Sequence, residues 1–260
     1  MDSPCRWKEG DPLYRKLKGP NQWPDEKYIP EFKRTLQTFI KEMTEFSREF
    51  VHLISLSLEL PYDALDQFLD PPDQQMNRLK AKRDIYILLL HHLFNNFVKY
   101  PPQDALDPED GIQGVGPHKD PWLTFLLQVN DSLGLQVQNH SGDWINVPSI
   151  DNTFVVNIGT GLEGVTGGVT VATTHRVLNP SPGSNPRISI PFFQMLSDEV
   201  VLKQLDVPEE IKKMARKDVV SDADSTAYRE FLSKNVGEGV LRNRITSHRD
   251  VGERHYPELL

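Results

Sequence analysis

Residues 114–129 read GVGPHKDPWLTFLLQV. They set His118 and Asp120 one residue apart at the mouth of an apolar run. On a strand, residues i and i+2 face the same side, so the imidazole and the carboxylate converge while Lys119 points away. Two polar groups at the edge of a buried strand are costly unless something binds them. A metal would need a third ligand. His175 closes the strand-like run GVTVATTHRV, residues 168–177, far enough downstream for several short strands to bring the chain back beside the first. Two histidines and one carboxylate take one face of an octahedron and leave open positions, the arrangement expected for non-haem Fe(II) that activates oxygen.

With eight histidines in the chain, a lone His-x-Asp is a weak signal, and zinc would accept the same three ligands. A second pair adds weight. NPRISIPFF, residues 185–193, carries Arg187 and Ser189, again at i and i+2 in an otherwise apolar segment. A guanidinium grips a carboxylate through two bonds, and a hydroxyl two residues on can add a third. Buried without a partner, such an arginine is expensive; an internal salt bridge is the bland alternative. Together the pairs suggest a metal beside an anion site, which a zinc hydrolase leaves unexplained. The remaining histidines have quieter readings. His52, His91 and His92 sit in helical or apolar runs without convergent partners nearby and read as structural. His140, His248 and His255 lie in polar stretches and read as solvated.

Around this segment, residues 118–193 form short β-rich runs (WLTFLLQV, GLQVQ, DWINV, TFVVNIG, GVTVATTHRV, RISIPFF) separated by turn residues. That spacing predicts a sandwich or barrel. Upstream, Phe32, Leu36, Phe39, Met43, Phe46, Phe50 and Leu53 recur at steps of three and four, one apolar face of a long helix over about 30–60. Pro30 suits its first turn and Pro61 bars its continuation. A short helix is expected around Tyr62 to Leu69. Residues 82–97 read as either a buried helix or a buried strand. After Ser197 the texture turns helical and charged, with DVPEEIKKMARK opening a helix near Asp206 to Pro208 and a polar, partly loose tail. The organisation expected is an N-terminal helical region over 1–113, a core over 114–197 and a C-terminal extension over 198–260.

Composition bounds the partners. The chain has 260 residues, 38% hydrophobic and 25% charged, ordinary for a soluble globular protein. A net charge of −8 argues against nucleic acid. The one cysteine, Cys5, forms no internal disulfide and fits a reducing compartment. The N-terminus has no signal-like apolar run, and IYILLLHHLF, residues 85–94, is too short to cross a bilayer. A cytoplasmic protein acting on a small molecule, with no membrane and no nucleic acid, is the expectation. The residues set no oligomeric state.

The segment 114–193 resembles the oxygenase domain of the Fe(II)/2-oxoglutarate-dependent dioxygenases, in the branch that includes isopenicillin N synthase. GLQV, W-I-x-V-P, VVNIG and HRV fall in that family's order, and GGVTVATTHRV with the tail RNRITSHRDVGERHYPELL is most similar to fungal members. The likeness extends less specifically over 11–81 and 198–260. It implies a mainly β fold with supporting α-helices around a double-stranded β-helix, or jelly roll. It implies His118, Asp120 and His175 as iron ligands, and Arg187 and Ser189 as the grip on the distal carboxylate of 2-oxoglutarate. Tyr100, in VKYPP, matches the family's Asn-x-Tyr-Pro segment and would touch the same carboxylate, although Val98 stands where the family has Asn. Fe(II), 2-oxoglutarate and O2 are then the cofactor and co-substrates, and a C–H bond of a small molecule, in fungal secondary metabolism, is the target of hydroxylation, desaturation or a related oxidation. The alternatives are a 2-oxoglutarate-independent oxidase of the isopenicillin N synthase type and an inactive paralogue that at most binds. By this resemblance a further region is expected ahead of GPNQWP, and the sequence reads as lacking it. Relatives also pass quickly from a segment like QQMNRLK to YPP. The insertion about 82–97 therefore reads as translated intron sequence, or as a mark of a degenerate paralogue.

Overall fold

The computed structural model describes residues 7–18, 21, 23–72, 74, 75, 77–79, 98–100, 102, 113–129, 133–215 and 235–259. The segment 82–97, with His91 and His92, lies outside them.

Two antiparallel sheets carry the architecture. Their strands are β1 (Asn77–Leu79), β2 (Val98–Tyr100), β3 (Gln113–His118), β4 (Leu123–Gln128), β5 (Leu135–Gln138), β6 (Trp144–Asn146), β7 (Val155–Ile158), β8 (His175–Leu178) and β9 (Arg187–Gln194). The larger sheet runs β1-β9-β4-β7, with β2 also on β9; the smaller runs β3-β8-β5-β6. Alternation sets which face of each strand meets which layer. In β9 Arg187, Ser189 and Pro191 share one face and Ile188, Ile190 and Phe192 the other. The second set meets the main core. The first turns toward the smaller sheet, where Tyr100, Leu126, Leu135 and Val177 form a separate buried cluster. The expected β-run ending in HRV is shorter than its texture suggests: only His175–Leu178 is strand.

The long helix is α1 (Phe32–Ser57). It starts after Pro30 rather than around it, and Glu31 precedes it in a left-handed conformation (φ 65°). Its far end is a Schellman closure: Leu60 N–H donates to Ser55 O at 3.0 Å and Glu59 N–H to Leu56 O at 3.0 Å, with Glu59 left-handed (φ 54°) where glycine is usual. Pro61 follows, as the sequence required. The buried face differs from the expected one. Leu36, Met43, Thr44, Ser47, Val51 and Ser55 are buried, whereas Phe46 and Leu53 are 46% and 60% exposed. A stripe repeating every 3.5 residues drifts around a helix of 3.6 per turn. Buried hydroxyls are tolerated because Thr44, Ser47 and Ser55 donate back to Ile40 O, Thr44 O and Val51 O.

Helix α1 packs on the outer face of the larger sheet. Phe46 and Phe50 set their rings edge-on to Phe125, centroids 5.5 and 5.4 Å apart. Phe125 and Phe192 are fully buried, each contributing about 1.5–3 kcal/mol by area. A polar relay crosses the same core: Trp122 Nε1 donates to Gln194 Oε1 (3.1 Å) and Gln194 Nε2 to Ser47 Oγ (3.1 Å). Between Tyr62 and Leu69 the structure has one 3-10 turn, Asp66–Phe68, rather than the expected helix.

The smaller helices are α2 (Thr160–Val165), α3 (Glu209–Met214), α4 (Val236–Ser247) and α5 (Arg249–His255). The tail expected to be partly loose is largely helical. Asn235 caps α4 by accepting from Gly237 N–H, and Leu241 and Ile245 of α4 bury against Tyr14. Among the described residues no helix is long and apolar enough to cross a membrane.

Candidate active site

β3 ends at His118, so His118 and Asp120 do not ride one strand as expected; Asp120 lies in the link to β4. The link is pinned by the first residues of α2. Thr160 N–H donates to Asp120 O and Gly161 N–H to Pro121 O, both at 2.8 Å. Gly159 allows this approach: a Cβ there would meet Asp120 O at 2.5 Å and Trp122 O at 2.4 Å. Beneath it, fully buried Glu163 accepts from Ala172 N–H at 2.9 Å and lies 3.9 Å from Lys119 Nζ. Lys119 thus points away from the site, as alternation predicted.

His118 and His175 face each other across the β3–β8 ladder, ring centroids 4.2 Å apart. Each is aimed by its own backbone: Nδ1 of His118 lies 2.8 Å from Gly116 O and Nδ1 of His175 3.2 Å from Thr173 O. A carbonyl only accepts, so in each ring Nδ1 is the proton-bearing nitrogen and Nε2 the one a metal would use; Asn157 Nδ2 lies 3.4 Å from that of His175. These Nε2 atoms point at Asp120, His118 at 3.8 Å from Oδ1 and His175 at 3.6 Å from Oδ2. One ligand atom from each of the three residues falls within 4.8 Å of the others. Burial pushes the His175 pKa below its ordinary value against the pull of Asp120, with His118 adding to the depression. Asp120 and His175 are buried, while His118 stands at the open side.

Further along the interior, Arg187 is 1% exposed and Ser189 is equally buried. The guanidinium donates to Gln128 Oε1 (3.0 Å) and to Ser189 Oγ (3.4 Å) and lies over the Tyr100 ring, 5.1 Å from its centroid. Tyr100 is placed by its register opposite Arg187. Burial raises the Tyr100 pKa, opposed by the Arg187 charge and hydrogen bonds with Ser189 and Arg187; burial lowers that of Arg187, opposed by Tyr100. Among the described residues no carboxylate pairs with this cation; neutral acceptors and the Tyr100 ring surround it. Its Nε and the hydroxyl of Thr124 are buried without partners.

The structure therefore brings His118, Asp120 and His175 together, and separately Arg187, Ser189 and Tyr100. Gln128, Asn157 and Glu163 take part and were not foreseen. Each is a polar residue inside an apolar run, a visible signal whose partner the sequence does not name. One reading is corrected: His52 has a convergent partner, its Nε2 lying 3.1 Å from both carboxylate oxygens of Asp66.

Comparison with known proteins agrees with this geometry. Residues 89–195 match the model of the 2OG-Fe(II) oxygenase superfamily. A 1-aminocyclopropane-1-carboxylate oxidase of Dictyostelium mucoroides is 30% identical over 252 residues, covering 91% of this chain and 67% of that protein. The chain belongs to the 2OG-Fe(II) oxygenase superfamily. Among its oxygenase relatives, the 2-oxoglutarate-dependent dioxygenase frbJ of Dothideomycetidae sp. is 42% identical over 96% of this chain and 64% of its own length. The chain thus spans about two-thirds or less of the curated relatives it matches first. The crystal structure of a 2OG-Fe(II) oxygenase family protein from Caulobacter crescentus shares the fold, with TM-score 0.61 at 22% identity, over 91% of this chain and 65% of that one. A full-length Neurospora crassa protein crystallised in complex with alpha-KG shares it too, with TM-score 0.64 at 22% identity, over 92% of this chain and 63% of that one.

Proposed function

We propose that this oxygenase oxidises a C–H bond of a small organic molecule with Fe(II), 2-oxoglutarate and O2. His118, Asp120 and His175 would hold the metal, and Arg187, Ser189 and Tyr100 the distal carboxylate of 2-oxoglutarate. One observation carries the reading: a cluster of two imidazoles and a carboxylate opens into an interior that also holds a buried guanidinium with no acidic partner among the described residues.

The residues fit both groups. The donor set is two imidazole nitrogens and a carboxylate oxygen, which suits a divalent first-row ion. The unpartnered Nε of Arg187 is what a bound oxyanion would satisfy. When bound, iron would let O2 act as the four-electron oxidant, two electrons coming from 2-oxoglutarate as it goes to succinate and CO2 and two from the substrate's C–H bond. The chain supplies the rest. Arg187 orients a dicarboxylate end-on by its fork, with Ser189 and Tyr100 fixing its register. Leu126, Leu135 and Val177 keep that end dry. Val137 and Ile145 share the face of His175 through their register. Ile145 is 49% exposed, so the side open to a substrate is apolar. The fungal relatives named as 2-oxoglutarate-dependent dioxygenases support the co-substrate assignment.

Succinate formation tests the reading. Aerobic protein with Fe(II), 2-oxoglutarate and a fungal small-molecule extract should release succinate above background. His175→Ala should release none. Oxygen uptake that ignores 2-oxoglutarate would instead favour an oxidase of the isopenicillin N synthase type.

A further inference from the structure

Asn157 lies on β7 directly opposite Thr124 of β4, on the face turned to the site. Its Nδ2 is 3.1 Å from Asp120 Oδ2 and 3.4 Å from His175 Nε2. Opposite a carboxylate oxygen only the amide's N–H end fits, so the orientation follows from Asp120. Asn157 is 8% exposed and its strand neighbours Val156 and Ile158 are apolar. A buried amide in such a strand is costly unless its bonds are made.

We propose that Asn157 is a positioning residue that reserves Oδ2 of Asp120 and so restricts this carboxylate to one metal-binding oxygen, Oδ1. The inference rests on the ligand assignment above. A carboxylate can bind a metal through one oxygen or two, and the choice decides how many positions remain. Two imidazoles with a one-oxygen carboxylate leave about three of six positions open. That suffices for a chelating 2-oxo acid and one more ligand. A two-oxygen carboxylate leaves one position fewer. The amide bond to Oδ2 competes with the second mode. Metal at His175 Nε2 takes the lone pair that the amide otherwise approaches, so loading concentrates the donor on Asp120. Asn157 thereby acts on the coordination number without touching the ion.

The test uses the full chain with Mn(II) as the probe. Mn(II) affinity is measured by titration, bound waters are counted by water-proton relaxation, and 2-oxoglutarate affinity is measured on the loaded protein. Wild type should bind one Mn(II) carrying about three exchangeable waters. Asn157→Leu, close in shape but without a donor, should still bind Mn(II), with one water fewer and about tenfold or more weaker 2-oxoglutarate binding. Asn157→Val, which suits a strand, gives the same reading if the leucine variant fails to fold. An unchanged water count in a folded variant overturns the proposal, whether or not Mn(II) affinity falls. If wild type itself binds no Mn(II), the ligand assignment fails and the proposal with it.

Discussion

Arg187 is the residue whose environment asks most of a ligand. Its charge is buried, Gln128 and Ser189 supply neutral acceptors, and Nε has none. Among the described residues no carboxylate supplies its counter-charge; a bound one would, and a charge-assisted bond of this kind contributes about 1.5–3 kcal/mol. Arg187→Ala should therefore weaken 2-oxoglutarate binding by about tenfold to a hundredfold while metal affinity stays within about twofold. Paired titrations of metal and co-substrate check this. Equal losses of both would mean that Arg187 supports the fold and not the anion. At this scale the sequence was legible where spacing carries geometry. His118 with Asp120, and Arg187 with Ser189, stand out as polar pairs at i and i+2 beside apolar runs. Asn157 and Gln128 stand singly in their strands, and a single polar residue does not reveal whether it meets a ligand, a neighbour or water.

Among the elements, the docking of the N-terminal segment has a defined pH window. Residues Leu13–Leu17 form a 3-10 turn whose Tyr14 packs on α4 and donates its hydroxyl to Glu199 Oε2 at 2.8 Å. Burial, then the bond to Glu199, pushes the Tyr14 pKa up from 10.0 to about 12. Below pH 10 the phenol is neutral whether docked or free. Between 10 and 12 the free segment loses its proton and the docked one does not, so docking weakens through that range. The tyrosinate absorbance of wild type minus that of Tyr14→Phe should titrate near 12, and a midpoint near 10 would show an undocked phenol. Helix α1 shows what periodicity can and cannot give. Its existence and its end at Pro61 were readable. Its buried seam was not, because Thr44, Ser47 and Ser55 bond within the helix and pass for solvent-facing residues in the sequence. The short helix expected around Tyr62 to Leu69 is only a 3-10 turn at Asp66–Phe68, and within the helical texture after Ser197 the two helices over 236–255 had no readable bounds, for a related reason: their stability comes from docking, such as Tyr14 against Leu241 and Ile245, rather than from a strong local stripe.

The whole molecule joins two sheets so that one interior holds both the His118, Asp120 and His175 cluster and the buried Arg187. α1 backs the larger sheet, and α2 pins the link that carries Asp120. A sandwich or barrel was legible because short β-runs and turns alternate from 118 to 193, and the jelly roll followed from the family resemblance; the sheet order was not legible, because pairing of β9 with β1, β2 and β4 joins segments far apart in sequence. The most direct test of the account is an anaerobic titration of the full chain with Fe(II), then 2-oxoglutarate, followed by the visible charge-transfer absorption of a chelated 2-oxo acid. One equivalent of each should saturate the band, and Asp120→Ala should abolish it. A protein that stays colourless at saturating Fe(II) and 2-oxoglutarate, or an Asp120→Ala variant that develops the same band, would contradict it.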